Sequence, residues 1–169
     1  MRNVFETADD VLQVRAEYFV IRGNGAITKT NKFSVALSGG SAPKKLYELL
    51  ATEFHDKLDG DKASFFFGDE RNVMPSHESY NGLMAKKAIL DPLNIAEDHI
   101  FYIDTTIAPE KAAIEYNNAI TKHFDGADLV FDLMLLGMGD DAHTASLFRV
   151  TTILNNKNVE LDSVFVEKL

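Results

Sequence analysis

Hydrophobic and polar positions change period repeatedly along the chain. Between Asp9 and Ile21 the apolar residues Val11, Val14, Tyr18 and Ile21 recur near helical spacing, and Asp9 or Asp10 stands where an N-cap belongs. Phe33 to Leu37 is a short, mainly apolar run between Asn31 and Ser38-Gly39-Gly40, which predicts a strand. Ala42 to Leu50 returns to a helical pattern, with Pro43 in the first turn, where proline is favoured. Ala63 to Phe67 predicts a second strand. Its consecutive Phe65, Phe66 and Phe67 suit a sheet covered by helices on both faces. Ser79 to Leu90 predicts a helix ended by Asp91-Pro92, and His99 to Ile103 a third strand. Pro109 to Phe124 predicts a helix, Asp132 to Leu136 a fourth strand and Ser163 to Val166 a fifth.

Strands alternating with helices imply βαβ units, hence an α/β fold with a mainly parallel sheet. No repeat, linker or low-complexity tract interrupts the 169 residues, so one domain spanning 1–169 is expected. In open parallel sheets, ligands bind at the carboxyl ends of the strands. Three strands run directly into polar, glycine-containing loops: Ser38-Gly39-Gly40-Ser41, Gly68-Asp69-Glu70-Arg71, and Gly137 through His143. A parallel sheet would bring all three to one edge.

Composition narrows the chemistry. Hydrophobic residues make up 46% and charged residues 25%, the balance of a folded globular chain. Seventeen basic against 26 acidic residues give a net charge of −9, and no basic stripe offsets it, so nucleic acid is not expected as a partner. The sequence holds no cysteine, which excludes disulfides, thiolate metal sites and a cysteine nucleophile. No apolar run approaches the ~20 residues of a membrane span, and residues 1–10 lack the apolar core of a secretory signal, so a cytoplasmic location is expected.

Each loop suggests a role. The glycines of Ser38-Gly39-Gly40-Ser41 allow close backbone approach, and the helix after them offers free N–H groups and a positive dipole end for an anion; the bland reading is a tight turn capped by Ser41. In the second loop Arg71 is suited to a bidentate phosphate contact, while Asp69 and Glu70 are suited to sugar hydroxyls or to holding Arg71; the bland reading is a surface ion pair. In the third loop His143 is expected near the start of a helix, whose N-terminal field disfavours the imidazolium and leaves a neutral ring for general-base work. Asp141, two residues away, is placed to orient that ring. His55, His77, His99 and His123 read as structural or surface residues.

Together, Ala36-Leu37-Ser38-Gly39-Gly40-Ser41, Gly68-Asp69-Glu70-Arg71 and Leu136-Gly137-Met138-Gly139-Asp140-Asp141-Ala142-His143-Thr144-Ala145-Ser146-Leu147-Phe148 resemble the 6-phosphogluconolactonase family. The resemblance covers nearly the whole chain in order. It implies a Rossmann-like sheet between helix layers, the NagB/RpiA-like fold shared with sugar-phosphate isomerases and aminosugar-phosphate deaminases. It implies hydrolysis of 6-phosphoglucono-δ-lactone to 6-phosphogluconate in the oxidative pentose phosphate pathway, without a metal or organic cofactor. It implies substrate and phosphate contacts at Gly39, Gly40, Ser41 and Arg71, with Asp69 beside them. His143 is implied as the base that activates water, with Asp141 next to it.

The sequence departs from the family pattern at several positions. Ala142 stands where glycine usually precedes the histidine, Arg149 stands where proline usually follows Leu-Phe, and Met74 and Tyr80 separate pairs that are usually adjacent. Family chains continue past Glu167-Lys168-Leu169, so the C-terminal part of the fold is expected to be lacking. Lys168 aligns loosely with a family lysine that touches substrate. Two rivals follow: an aminosugar-phosphate deaminase or isomerase, whose usual Ile-Ala-Phe-Asn segment is replaced here by Thr144-Ala145-Ser146-Leu147, and a non-catalytic or truncated, inactive sugar-phosphate-binding module. An uncovered sheet edge would favour homo-oligomers.

Overall fold

The computed structural model describes residues 4–125, 128–149, 151–155 and 161–166. Its centre is a parallel sheet in the order β2-β1-β3, formed by β1 (Phe33–Leu37), β2 (Ala63–Phe67) and the short β3 (Leu133–Met134). β1 pairs in register from Phe33–Ala63 to Leu37–Phe67, and Val35 and Ala36 face Leu133 and Met134. Both apolar runs read as strands therefore form with the predicted bounds, and all of β1 is buried because helices cover both faces.

One face packs against α1 (Ala8–Thr30), α2 (Ser41–Glu53) and the π-turn Lys86–Leu90 that continues α3 (Asn81–Ala85). Phe33, Val35, Leu37, Phe65 and Phe67 point into that core, with Phe19, Tyr47 and Ile89. The opposite face packs Ala36 and Phe66 against Tyr116, Ile120 and Phe124 at the end of α4 (Pro109–His123). The alternation within each strand thus feeds two cores, one per face.

Several boundaries move for physical reasons. The cap of α1 is Thr7, not Asp9 or Asp10: Thr7 Oγ1 accepts from the Asp10 N–H at 3.1 Å and the Asp10 carboxylate accepts from the Thr7 N–H at 3.1 Å. The helix also continues past Ile21 to Thr30. Gly23 is buried there, because a Cβ would strike Leu58 and the ring of Phe33. The predicted strand His99–Ile103 forms only a single ladder contact between Phe65 and Ile100, and Glu97–His99 is a 3-10 turn. The Ile103 carbonyl is taken by the hydroxyl of Tyr80 at 2.9 Å, which directs it away from the ladder. The predicted strand Asp132–Leu136 is shorter, although Asp132 and Leu135 still donate to Ser34 and Ala36. Ser163 to Val166 joins no strand, and Phe165 there is exposed. No helix is long and apolar enough to cross a membrane among the described residues.

Candidate active site

Because all three strands are parallel, their carboxyl ends and the following loops share one edge. Two buried tyrosines prepare the chain for leaving the sheet there. The Tyr47 hydroxyl accepts from the Ser38 N–H and donates to the Ser38 carbonyl, both at 2.9 Å. From the opposite face, Tyr116 does the same to the N–H and carbonyl of Phe67, at 2.7 and 3.1 Å. Burial pushes both phenols well above their ordinary range, so both stay protonated and keep these bonds.

The first loop opens α2. Gly40 is its N-cap residue, with φ of 103°, a conformation open to glycine and strained for other residues, and no side chain caps the helix. The N–H groups of Ser41 and Ala42 are left for a ligand or water, since Pro43 has none and Lys44 donates to Gly40 at 3.1 Å. Gly39 is set by close approach, since a Cβ would collide with the amide of Asn81 and lie 2.7 Å from Arg71 Nη1. The first and second loops therefore touch.

The second loop is held from beneath by α3. Glu70 accepts the N–H groups of Asn81, Arg71 and Gly82 at 2.7, 2.8 and 2.9 Å. Burial raises its pKa, and the three N–H bonds and the Arg71 charge oppose that rise. Glu70 is thus committed to structure, and Asp69 and Arg71 remain for ligands. Asn81, 2% exposed, is the residue that motif reading missed. Its amide nitrogen donates to the Asp69 carbonyl at 3.0 Å, and its carbonyl oxygen accepts from the Arg71 guanidinium. The only local hint was its place just after the Ser79-Tyr80 departure.

The third loop brings Asp141 and His143 together. Nδ1 of His143 bonds Oδ1 of Asp141, which also accepts the His143 N–H at 3.3 Å. A carboxylate accepts only, so Nδ1 carries the proton and Nε2 is left as the basic nitrogen. The His143 bond holds Asp141 below the usual carboxylate range. Phe148 stacks on the imidazole at 4.2 Å between centroids, and a Cβ on Gly139 would strike the ring. The expected helix start at His143 is absent. Ala142 and Ala145 take left-handed φ of 66° and 48°, which breaks helical continuity, and the next helical turn begins at Thr152. The field at His143 thus comes from Asp141 rather than from a helix end. Ser146 donates to Asp69 Oδ2 at 3.1 Å, joining the third loop to the second. Lys168 lies outside the described residues.

Fold and site together define an α/β protein with an uncapped helix N-terminus, a held arginine and a histidine–carboxylate pair on one sheet edge. Residues 6–167 match the family of glucosamine-6-phosphate isomerases and 6-phosphogluconolactonases, and the chain belongs to it. A 6-phosphogluconolactonase of Nostoc sp. is 45% identical over 133 residues, covering 76% of this chain and 54% of that protein. One of Chlamydia muridarum is 36% identical over 155 residues, covering 92% of this chain and 59% of that protein. The solved 6-phosphogluconolactonase of Trypanosoma cruzi superposes with a TM-score of 0.77 at 34% identity, over 86% of this chain and 61% of that one. The chain therefore spans between half and two thirds of the length of these relatives.

Proposed function

We propose that this chain carries the lactone-hydrolysing site of a cytoplasmic 6-phosphogluconolactonase, converting 6-phosphoglucono-δ-lactone to 6-phosphogluconate in the oxidative pentose phosphate pathway. The observation that carries the reading is the Asp141–His143 pair on the same sheet edge as the α2 N-terminus and Arg71. The phosphate sits against the first-loop N–H groups and the Arg71 guanidinium, with Asp69 toward the sugar hydroxyls. Nε2 of His143 takes a proton from water as the water oxygen bonds to the lactone carbonyl carbon. Collapse of the tetrahedral intermediate breaks the bond to the ring oxygen, which recovers the proton from the imidazolium. Asp141 steadies the imidazolium while it exists. The site is one sugar-phosphate-binding unit, and no step calls for a metal or organic cofactor.

The deciding experiment supplies 6-phosphoglucono-δ-lactone and follows acid release, with glucosamine 6-phosphate and ammonia release in parallel. Lactone-dependent acid release above the spontaneous rate is expected. Ammonia release alone would make the chain a deaminase, and binding without turnover would make it a non-catalytic module.

A further inference from the structure

The third loop is held mostly by its own short-range bonds. Gly139 donates to the His143 carbonyl, Ala142 to Gly139, Leu147 to Thr144, and Phe148 to Ser146. Such bonds shape the loop but do not fix where it stands over the sheet edge. Its stem is the two-residue β3, and five of the loop's residues from Leu136 to Asp141 are exposed. Among the described residues, one side-chain hydrogen bond leaves this loop for another element: Ser146 Oγ to Asp69 Oδ2, across 77 positions of sequence.

What receives that bond is itself rigid. The Asp69 carbonyl is held by the Asn81 amide, Asn81 is buried at the start of α3, and the other side of its amide holds the Arg71 guanidinium. A chain of contacts thus runs from the loop bearing His143 through Ser146 to the Asp69 carboxylate, across the Asp69 residue to its carbonyl, and by way of Asn81 to Arg71. We propose that Ser146 is a positioning residue that sets His143 relative to Arg71, so that a substrate anchored by its phosphate presents its carbonyl to a base already at the right distance.

The proposal rests on the lactonase reading for its kinetic arm and on hydrogen-bond geometry alone for its spectroscopic arm. In Ser146→Ala the phosphate contacts at Arg71 and the α2 N-terminus are intact, while the base and the Asp69 carboxylate lose their mutual hold. Turnover should therefore fall by roughly tenfold to a hundredfold while KM stays within about threefold. Ser146→Thr keeps the hydroxyl and should recover most of the rate. In the ligand-free protein, Ser146→Ala should shift the Asn81 side-chain amide and the His143 ring signals in NMR spectra, and Ser146→Thr should leave both near wild type. Melting temperatures accompany each variant, so that a general loss of folding is recognised.

Unchanged turnover in Ser146→Ala, or a rise in KM with turnover preserved, overturns the proposal. If the wild-type chain hydrolyses no lactone, the lactonase reading fails and the spectra decide. His143 and Asn81 signals unmoved by Ser146→Ala then reject the coupling, and signals moved by Ser146→Ala but restored by Ser146→Thr support it.

Discussion

His143 gains its chemical character from one neighbour. With Asp141 bonded to Nδ1, the basic lone pair lies on Nε2, so His143→Ala should reduce lactone hydrolysis by about 10²–10⁴-fold. Binding of 6-phosphogluconate, measured by calorimetry, should stay within a few-fold, because the phosphate is held elsewhere. Hydrolysis within a few-fold of wild type would assign the base to another residue. Arg71→Lys keeps the charge but loses the planar fork and the bond to Asn81. KM should rise more for the phosphorylated lactone than for glucono-δ-lactone, and equal rises would mean that Arg71 does not read the phosphate. At Ala142, φ of 66° places a Cβ in the left-handed region, which costs about 1–2 kcal/mol. Ala142→Gly removes that strain and adds about 0.4–1 kcal/mol of unfolded-chain entropy. A small rise in urea midpoint is expected, and a fall would show that the alanine is unstrained.

At the scale of an element, the end of α4 offers a pH test. His123 is the last residue of that helix, and its Nε2 lies 2.8 Å from the Ser34 hydroxyl. Its ring sits edge-on among Phe66, Phe101 and Phe124. Burial lowers its pKa first, and the charges of Lys32 and His99 lower it further. The unfolded chain then binds more protons than the native one between the lowered value and the ordinary histidine value of about 6.5. Stability should rise with pH across that window and fall on acidification through it. Urea midpoints taken between about pH 5 and 7.5 should show this slope in wild type and a shallower one in His123→Gln. Parallel slopes would place the acid sensitivity elsewhere. The same residue shows why its role was hard to read locally: one histidine at a helix end looks solvated until β1, β2 and residue 101 close around it.

For the whole molecule, the relevant surface is the outer edge of the sheet at β3, with α1 bordering it on one face. Met134, Leu136 and Met138 are 48%, 60% and 80% exposed, and Tyr18 and Ile21 on α1 are 51% and 66% exposed. Arg22 ties α1 to the Asp132 carbonyl at 3.3 Å beside this edge, while Met134, in register with Ala36, presents its side chain on the sheet face opposite α1. An apolar sheet edge of this kind drives association. Light scattering after size exclusion should give a mass above that of the monomer, and Met134→Lys should shift the population toward it. A monodisperse wild-type monomer would show that the edge is self-protected.

Sequence alone determined the parts governed by local periodicity. Phe33–Leu37 and Ala63–Phe67 are read to the residue because short, predominantly apolar runs between polar and glycine-containing stops have few other uses. The placement of Gly39, Arg71, Asp141 and His143 on one edge follows from parallel topology, which the alternation of strands and helices already implies. Tertiary structure decided what depends on partners distant in sequence. Asn81 became the hub of the second loop only when α3 packed beneath it. Ser146 met Asp69 only when β3 joined β1. Around His143 the chain takes left-handed φ at Ala142 and Ala145 instead of starting a helix, in a loop closed by its own backbone bonds and by stacking on Phe148. A periodic pattern records which face of an element is buried. It carries no information on which polar side chain, dozens of residues away, will meet which loop, because that contact exists only after the hydrophobic cores have set the distance between them.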